Sequence, residues 1–173
     1  MTEQPDVWAA VRRLNVRLSA RRFGVVPPLT ALAAAATLVG DDDVRFADVT
    51  AEVDEDFTRW RIVVLTERDL VTVEAASHLA GWSYEHPGPD AEATALPTVD
   101  ATIRRLAAVT AVHVAGVPAA WLPRDDDDAP APPVRLEFPG GEVTLPLGRL
   151  RHRDWARRAE DVRTVLALVG AAR

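Results

Sequence analysis

Residues 59–74 read RWRIVVLTERDLVTVE, and this stretch is the strongest structural signal in the chain. Two runs of apolar and β-branched residues, Trp60–Thr66 and Leu70–Glu74, flank the polar segment Glu67-Arg68-Asp69. Val, Ile, Thr and Trp favour strands, and a short polar segment between two such runs is typical of a tight turn. The stretch therefore predicts a β-hairpin.

Two helices are predicted before this hairpin. Four apolar residues of the segment 5–22 recur at helical spacing and share one face. They are Val7, Val11, Leu14 and Leu18. A second, Ala-rich helix is predicted from Thr30 to Val39 and ends at Gly40, because Ala has the highest helix propensity. We assign residues 1–40 to an N-terminal helical extension.

After residue 40 the apolar pattern changes to a period of two, which is typical of strands. Besides the hairpin, the predicted strands are Val44–Val53, Trp82–Glu85, Ala101–Leu106, Val109–Val114, Val134–Phe138 and Glu142–Pro146. Pro139-Gly140-Gly141 predicts a second hairpin turn between the last two of them. Pro146 is expected near a strand end or a sheet edge, because proline has no N–H to donate to a ladder.

A closing helix is predicted over residues 154–171. Its apolar residues fall on one stripe, as in an amphipathic helix that packs on a core. The stripe consists of Trp155, Ala159, Val162, Leu166 and Val169.

The order of several short strands followed by one amphipathic helix resembles the pleckstrin-homology-like (PH-like) domains of bacterial proteins of unknown function. The local sequence is also similar to these domains in two places. One is the pattern of Leu65, Thr66, Arg68 and Leu70, and the other is the predicted hairpin VRLEFPGGEVTLPL at residues 134–147. The resemblance covers roughly residues 41–171. It implies an α+β fold in which residues 41–173 form a partly open antiparallel β-barrel with a C-terminal capping helix.

The resemblance also implies a class of ligands. Domains of this kind bind peptides, proteins or lipid headgroups, and they rarely catalyse. Phosphoinositide-binding members carry a basic loop between the first two strands, whereas the corresponding segment of this chain, residues 52–56, reads EVDED. Carboxylates facing a phosphate oppose its binding, so a phosphoinositide is disfavoured as the ligand.

The composition excludes several chemistries. All 20 basic residues of the 173 are Arg, a usage typical of a GC-rich bacterial genome, and Cys is absent. The chain therefore has no lysine for a Schiff base and no thiol for nucleophilic attack, a disulfide or a metal site. The formal net charge of -6 makes nucleic acid an unfavourable partner. We predict no cofactor and no enzymatic activity.

The basic run around the start of the closing helix is the first candidate binding site. Cations at a helix N-terminus oppose the helix dipole, so the stability of the helix does not explain them. Guanidinium groups bind carboxylates and phosphates through paired hydrogen bonds. The predicted binding residues are Arg151, Arg153, Arg157 and Arg158. The alternative is a solvated surface in which Arg157 pairs with Asp161.

The N-terminal helix is the second candidate. Arg13, Arg17 and Arg21 form a basic stripe on it, with Arg12 and Arg22 beside them. Such a helix binds a membrane surface or docks a partner, unless its stripe simply covers its own domain.

Other motifs favour structural roles. Asp41–Asp43 and Asp125–Asp128 lack the ligand spacing of a calcium loop, and we predict no metal site. Trp82 and Tyr84 share one face of a strand and fit either a core or a peptide groove. The four histidines have no metal-binding spacing. They are His78, His86, His113 and His152.

The sequence thus predicts a non-catalytic interaction or scaffold module that binds a protein or peptide. Residues 1–8, MTEQPDVW, do not resemble a secretory signal, and we predict a cytoplasmic location. Two alternatives stay open, namely a peripheral membrane-associated protein that uses the basic N-terminal helix, and a binder of a small ligand or nucleic acid. Homo-oligomerisation also stays open.

Overall fold

A computed structural model describes residues 7–19, 27–55, 57–77, 98–114, 132–147 and 155–173. In these ranges the chain is an α+β protein with three helices and two antiparallel sheets. The helices are α1 (Val7–Ser19), α2 (Leu29–Val39) and α3 (Trp155–Ala172). The strands are β1 (Phe46–Val53), β2 (Thr58–Leu65), β3 (Asp69–Ser77), β4 (Thr98–Arg105), β5 (Ala111–Val114), β6 (Val134–Phe138) and β7 (Gly141–Leu145). By its internal contacts the chain divides into two compact units, residues 1–103 and 104–173.

Strands β2 and β3 form the predicted hairpin, in a register that places Leu65 opposite Leu70. The hydroxyl oxygen of Thr66 accepts hydrogen bonds from the backbone N–H groups of Asp69 at 3.0 Å and Arg68 at 3.2 Å. The backbone N–H of Thr66 donates to the Asp69 carbonyl at 2.9 Å. A buried threonine therefore satisfies the backbone donors of a turn that contains no glycine.

The first sheet has the order β1-β2-β3-β4, and its central hairpin is buried on both faces. Ile62 and Val64 belong to the core cluster that the helices also line. Val63 and Leu65 alternate with them along β2 and are equally inaccessible to solvent. A strand buried on both faces reads as a continuous apolar run, which explains the sequence IVVL in β2.

Helices α1 and α2 pack on this sheet and on each other. The predicted apolar face of α1 is confirmed at Val11, Leu14 and Leu18, which are at most 3% exposed. The two helices and the sheet share one apolar cluster. Both helices therefore belong to the first unit. The predicted domain boundary after residue 40 stays a prediction.

Helix α2 ends at Gly40, as predicted. Gly40 has a φ of 60°, and its backbone N–H donates to the Ala36 carbonyl at 2.9 Å. A positive φ is costly for residues with a Cβ, so glycine is suited to this end of the helix. The small side chains of α2 let it approach the sheet closely, and Ala31, Ala35 and Ala36 are buried.

The second sheet has the order β5-β6-β7, and β6 alternates buried and half-buried residues. Its β6–β7 hairpin confirms the predicted turn, with Gly140 at a φ of 87°. Pro146 directly follows β7, which is an edge strand, so its predicted placement is also confirmed.

Helix α3 packs its apolar side against the 3-10 turn Leu106–Ala108. The predicted stripe was partly wrong, because Leu166 is 38% exposed whereas Val165 is fully buried. Val162, Val165 and Val169 form the buried line instead. Their spacing of three and four residues defines a face rotated away from Leu166.

Several strand boundaries differ from the prediction, among them the starts of β1, β4 and β5. β1 begins at Phe46 rather than Val44, and β4 already begins at Thr98. β5 begins only at Ala111, because the chain first makes the 3-10 turn, closed by a hydrogen bond of 3.1 Å from the Val109 N–H to the Leu106 carbonyl. The predicted strand Trp82–Glu85 lies outside the described residues.

The first unit contains two isoleucines that differ in solvent exposure. Ile62 is 0% exposed and Ile103 is 44% exposed. We expect Ile62→Ala to lower the free energy of unfolding by about 2–5 kcal/mol, because it leaves a cavity in the core. The same change at Ile103 should cost below about 1 kcal/mol. Urea unfolding measures both, and a larger loss at Ile103 would contradict the assignment of the core.

The adjacent glycines of the β6–β7 turn form a second matched pair. Gly140→Ala should destabilise the protein by about 1–2 kcal/mol, because its φ of 87° is unfavourable for a residue with a Cβ. Gly141 has no positive φ, and a Cβ there would lie 4.0 Å from the Arg104 side chain. Gly141→Ala should therefore cost less, as measured by thermal and urea unfolding. Equal losses would argue against this turn conformation.

Candidate functional site

A pocket of about 110 Å³ opens in the first unit between α1 and the segment that ends α2. One wall comes from α1 and the other from the last turn of α2 and the loop after it. The lining residues are Ala10, Arg13, Leu14 and Arg17 from α1, and Ala36, Val39, Gly40, Asp41, Asp42, Asp43 and Val44 from the other wall. We call it the α1–α2 pocket. It combines an apolar floor with charges of both signs.

Two of the charged residues hold the pocket together. A guanidinium N–H of Arg17 donates to the backbone carbonyl of Val44, which ties α1 to the loop that leads into β1. Arg68, from the β2–β3 turn, donates to the Asp42 carboxylate at 2.8 and 3.0 Å. The second contact fixes the loop to the central hairpin, although the Arg68 side chain is two-thirds exposed and such pairs contribute little stability.

Three charged residues of the lining have no such structural partner. Among the residues that the structure describes, the side chains of Arg13, Asp41 and Asp43 form no hydrogen bond or ion pair. Arg13 and Arg17 are four residues apart on α1, and like charges at this spacing disfavour a helix. α1 contains no carboxylate that would compensate them. The pocket therefore keeps both cationic and anionic groups available to a ligand.

On a different side of α1, two apolar residues are exposed to solvent. Trp8 is 56% exposed and Val16 is 69% exposed. Arg12 lies between them, and the three residues are spaced four apart, so they form one line along the helix. We call this line the outer face of α1. Large apolar side chains that are exposed beside arginines are a common composition of docking surfaces.

The predicted arginines of the closing helix are described only in part. Arg157 is exposed and Arg158 is half-buried, and both take part in interactions. Arg151 and Arg153 lie outside the described residues, as does Arg21 of the alternative set. Arg13 and Arg17, by contrast, are exposed and line the α1–α2 pocket. The role of the arginines around residue 155 stays a prediction.

The remaining predicted candidates occupy ordinary positions or are not described. His113 pairs with Glu137 across β5 and β6, at 2.9 Å between Nε2 and the carboxylate. The other three histidines, Asp125–Asp128, Trp82 and Tyr84 lie outside the described residues. In the described part of the chain, no group of three or more metal-ligating side chains is arranged to hold a metal ion, and no helix is long and apolar enough to cross a membrane.

Sequence reasoning identified the arginines of α1 but missed the pocket. Asp41–Asp43 were assigned a structural role, without a connection to α1. The pocket forms because Gly40 turns the chain at the end of α2 and brings this loop beside Arg13 and Arg17. The only signal in the sequence was the uncompensated pair of arginines, which does not indicate where their counter-charges lie.

Comparisons with models of protein families, with curated proteins and with solved structures find no match to this chain.

Arg13 and Arg17 offer a matched test of the pocket geometry. Arg17→Ala should be less stable than Arg13→Ala by about 0.5–1.5 kcal/mol, because it alone loses a hydrogen bond to the Val44 carbonyl. Both changes relieve the same repulsion and both replace Arg with Ala in α1. Urea unfolding compares the two variants, and equal stabilities would show that the Arg17 contact does not hold the loop.

Proposed function

We propose that the protein is a non-catalytic interaction module that binds a protein partner through the outer face of α1. The observation that supports this proposal most directly is the exposure of Trp8 and Val16 beside the arginines of a helix without carboxylates. Tryptophan and arginine are the residues most enriched in the energetic centres of protein interfaces.

The charge of α1 indicates the chemistry of the partner. α1 carries three arginines and no acidic residue, whereas the whole chain has a net charge of -6. An acidic partner is therefore attracted to α1 and repelled by the remainder of the surface, which orients it during encounter. We infer that the partner presents an apolar patch bordered by Asp or Glu residues.

The PH-like fold is part of this proposal. The described strands follow one another as neighbours in a sheet of four and a sheet of three, and α3 comes last. This order agrees with the layout that the resemblance implies, namely antiparallel strands followed by one helix. An experimental structure tests the proposal, because a PH-like domain requires the two units to combine into one partly open barrel.

Association with a membrane surface is the second candidate. The exposed Trp8 favours it, because tryptophan is enriched where proteins meet the lipid headgroups. A single helix of 13 residues whose exposed large apolar side chains are Trp8 and Val16 binds lipid weakly, whereas a protein interface adds its own complementary surface. We therefore place a protein partner first.

The test is a pull-down from a lysate of the source organism with the wild type and three variants. The double variant Trp8→Gln/Val16→Gln removes the apolar part of the outer face of α1. Val53→Gln is the matched control, because Val53 is 61% exposed on β1. The third variant changes Arg151, Arg153, Arg157 and Arg158 to Glu. Circular dichroism verifies that each variant folds.

We expect the double variant to bind the captured partner about thirty-fold more weakly, the usual effect of removing an interface anchor, while Val53→Gln binds normally. A partner that the double variant retains contradicts the proposed surface, and its loss in the Arg-to-Glu variant would place the site around α3. If no protein is captured and the chain instead sediments with phosphatidylserine vesicles at low salt, the membrane candidate replaces the protein partner.

A further inference from the structure

The α1–α2 pocket offers opposite charges to one small ligand. Arg13 and Arg17 stand on the α1 wall, and Asp41 and Asp43 on the other. Arg17 donates one guanidinium N–H to the Val44 carbonyl. Within the described part of the chain, the side chains of Arg13, Asp41 and Asp43 form no hydrogen bond or ion pair. Charged groups that are exposed and unengaged bind a ligand without first breaking an internal contact.

The ligand must carry both signs of charge. A simple anion would be attracted by the two arginines but repelled by the aspartates. A simple cation would be attracted by the aspartates but repelled by the arginines. The end of α2 adds to the negative side, since a helix C-terminus carries a partial negative charge and the loop begins at Gly40. A molecule with a carboxylate and an ammonium group matches both walls at once.

The floor and size of the pocket narrow the class further. Leu14 and Ala36 are 3% and 4% exposed and contribute an apolar floor. The volume of about 110 Å³ is well below the roughly 300–1,000 Å³ of sites for drug-sized ligands. It suits a molecule with the dimensions of a single amino acid.

We propose that the α1–α2 pocket binds a free α-amino acid with an aliphatic side chain. The carboxylate accepts hydrogen bonds from Arg13 and from the unused N–H groups of Arg17. The ammonium group donates to Asp43 or Asp41, and the side chain lies on Leu14 and Ala36. This inference goes beyond the proposed partner, because the outer face of α1 does not line the pocket.

Calorimetric titration with L-leucine tests the proposal, with two analogues that each lack one charge. 4-Methylpentanoate lacks the ammonium group, and 3-methylbutylamine lacks the carboxylate. We expect saturable binding of L-leucine with a dissociation constant between about 10 µM and 1 mM, and at least about ten-fold weaker binding of both analogues. No saturable binding of L-leucine, L-valine or L-alanine, or equal affinity for either analogue, would overturn the proposal.

Substitutions of residues that line the pocket then test whether L-leucine binds there. Arg13→Gln and Asp43→Asn should each weaken L-leucine binding by about ten- to hundred-fold, the effect of losing a charge-assisted hydrogen bond. Arg12→Gln is the control, because Arg12 neighbours Arg13 on α1 but does not line the pocket. Unchanged binding in Arg13→Gln, or an equal loss in Arg12→Gln, would place the ligand elsewhere and reject the site.

Two further measurements keep the outcome separate from folding and from the proposed partner. Amide chemical shifts of the wild type should change on titration at residues of the pocket, including Leu14 and Val39, and changes confined to other regions would contradict the site. The variant Trp8→Gln/Val16→Gln should bind L-leucine like the wild type even where it loses the protein partner. A failure of one proposal is thereby distinguishable from a failure of the other.

Discussion

The burial of the β2–β3 hairpin on both faces is the constraint on which the rest of the first unit depends. Strands with apolar residues on both sides are stable in water only if each face is covered. α1 and α2 supply one cover, and their apolar residues form a single cluster with Ile62, Val64, Val71 and Val73. The helices are therefore not an accessory to the sheet, because exposing this face would forgo the burial of the apolar cluster that α1, α2 and the sheet share.

The same covering arrangement creates the candidate site. α2 must lie close to the sheet, which its alanines allow, and it must then turn back toward β1 at Gly40. That turn places the three aspartates beside the arginines of α1. Arg17 and Arg68 fasten the loop from two sides, so the position of the unengaged charges is set by contacts that serve the fold. The candidate site and the packing of the first unit thus share the residues of one loop.

The sequence predicted local structure well where a periodic pattern of apolar residues ended at a polar or glycine-containing turn. The β2–β3 hairpin, α2 with its glycine end, and the β6–β7 turn all lie where the residues indicated. The closing helix was found, but its buried face was assigned with Leu166 instead of Val165. Both residues are apolar and adjacent, so the pattern alone could not decide which of them faces the 3-10 turn. Only the position of the packing partner distinguishes them.

The sequence by itself determined the types of the described α-helices and strands, the apolar face of α1 and the absence of lysine and cysteine chemistry. Each of these follows from composition or from spacing along a few turns of chain. Only the tertiary structure decided that α1 and α2 share a core with the hairpin, and that Arg13 and Arg17 stand beside Asp41–Asp43. Periodicity is a local property, whereas the meeting of two charged segments depends on how helices pack on a sheet and on how a single glycine redirects the chain.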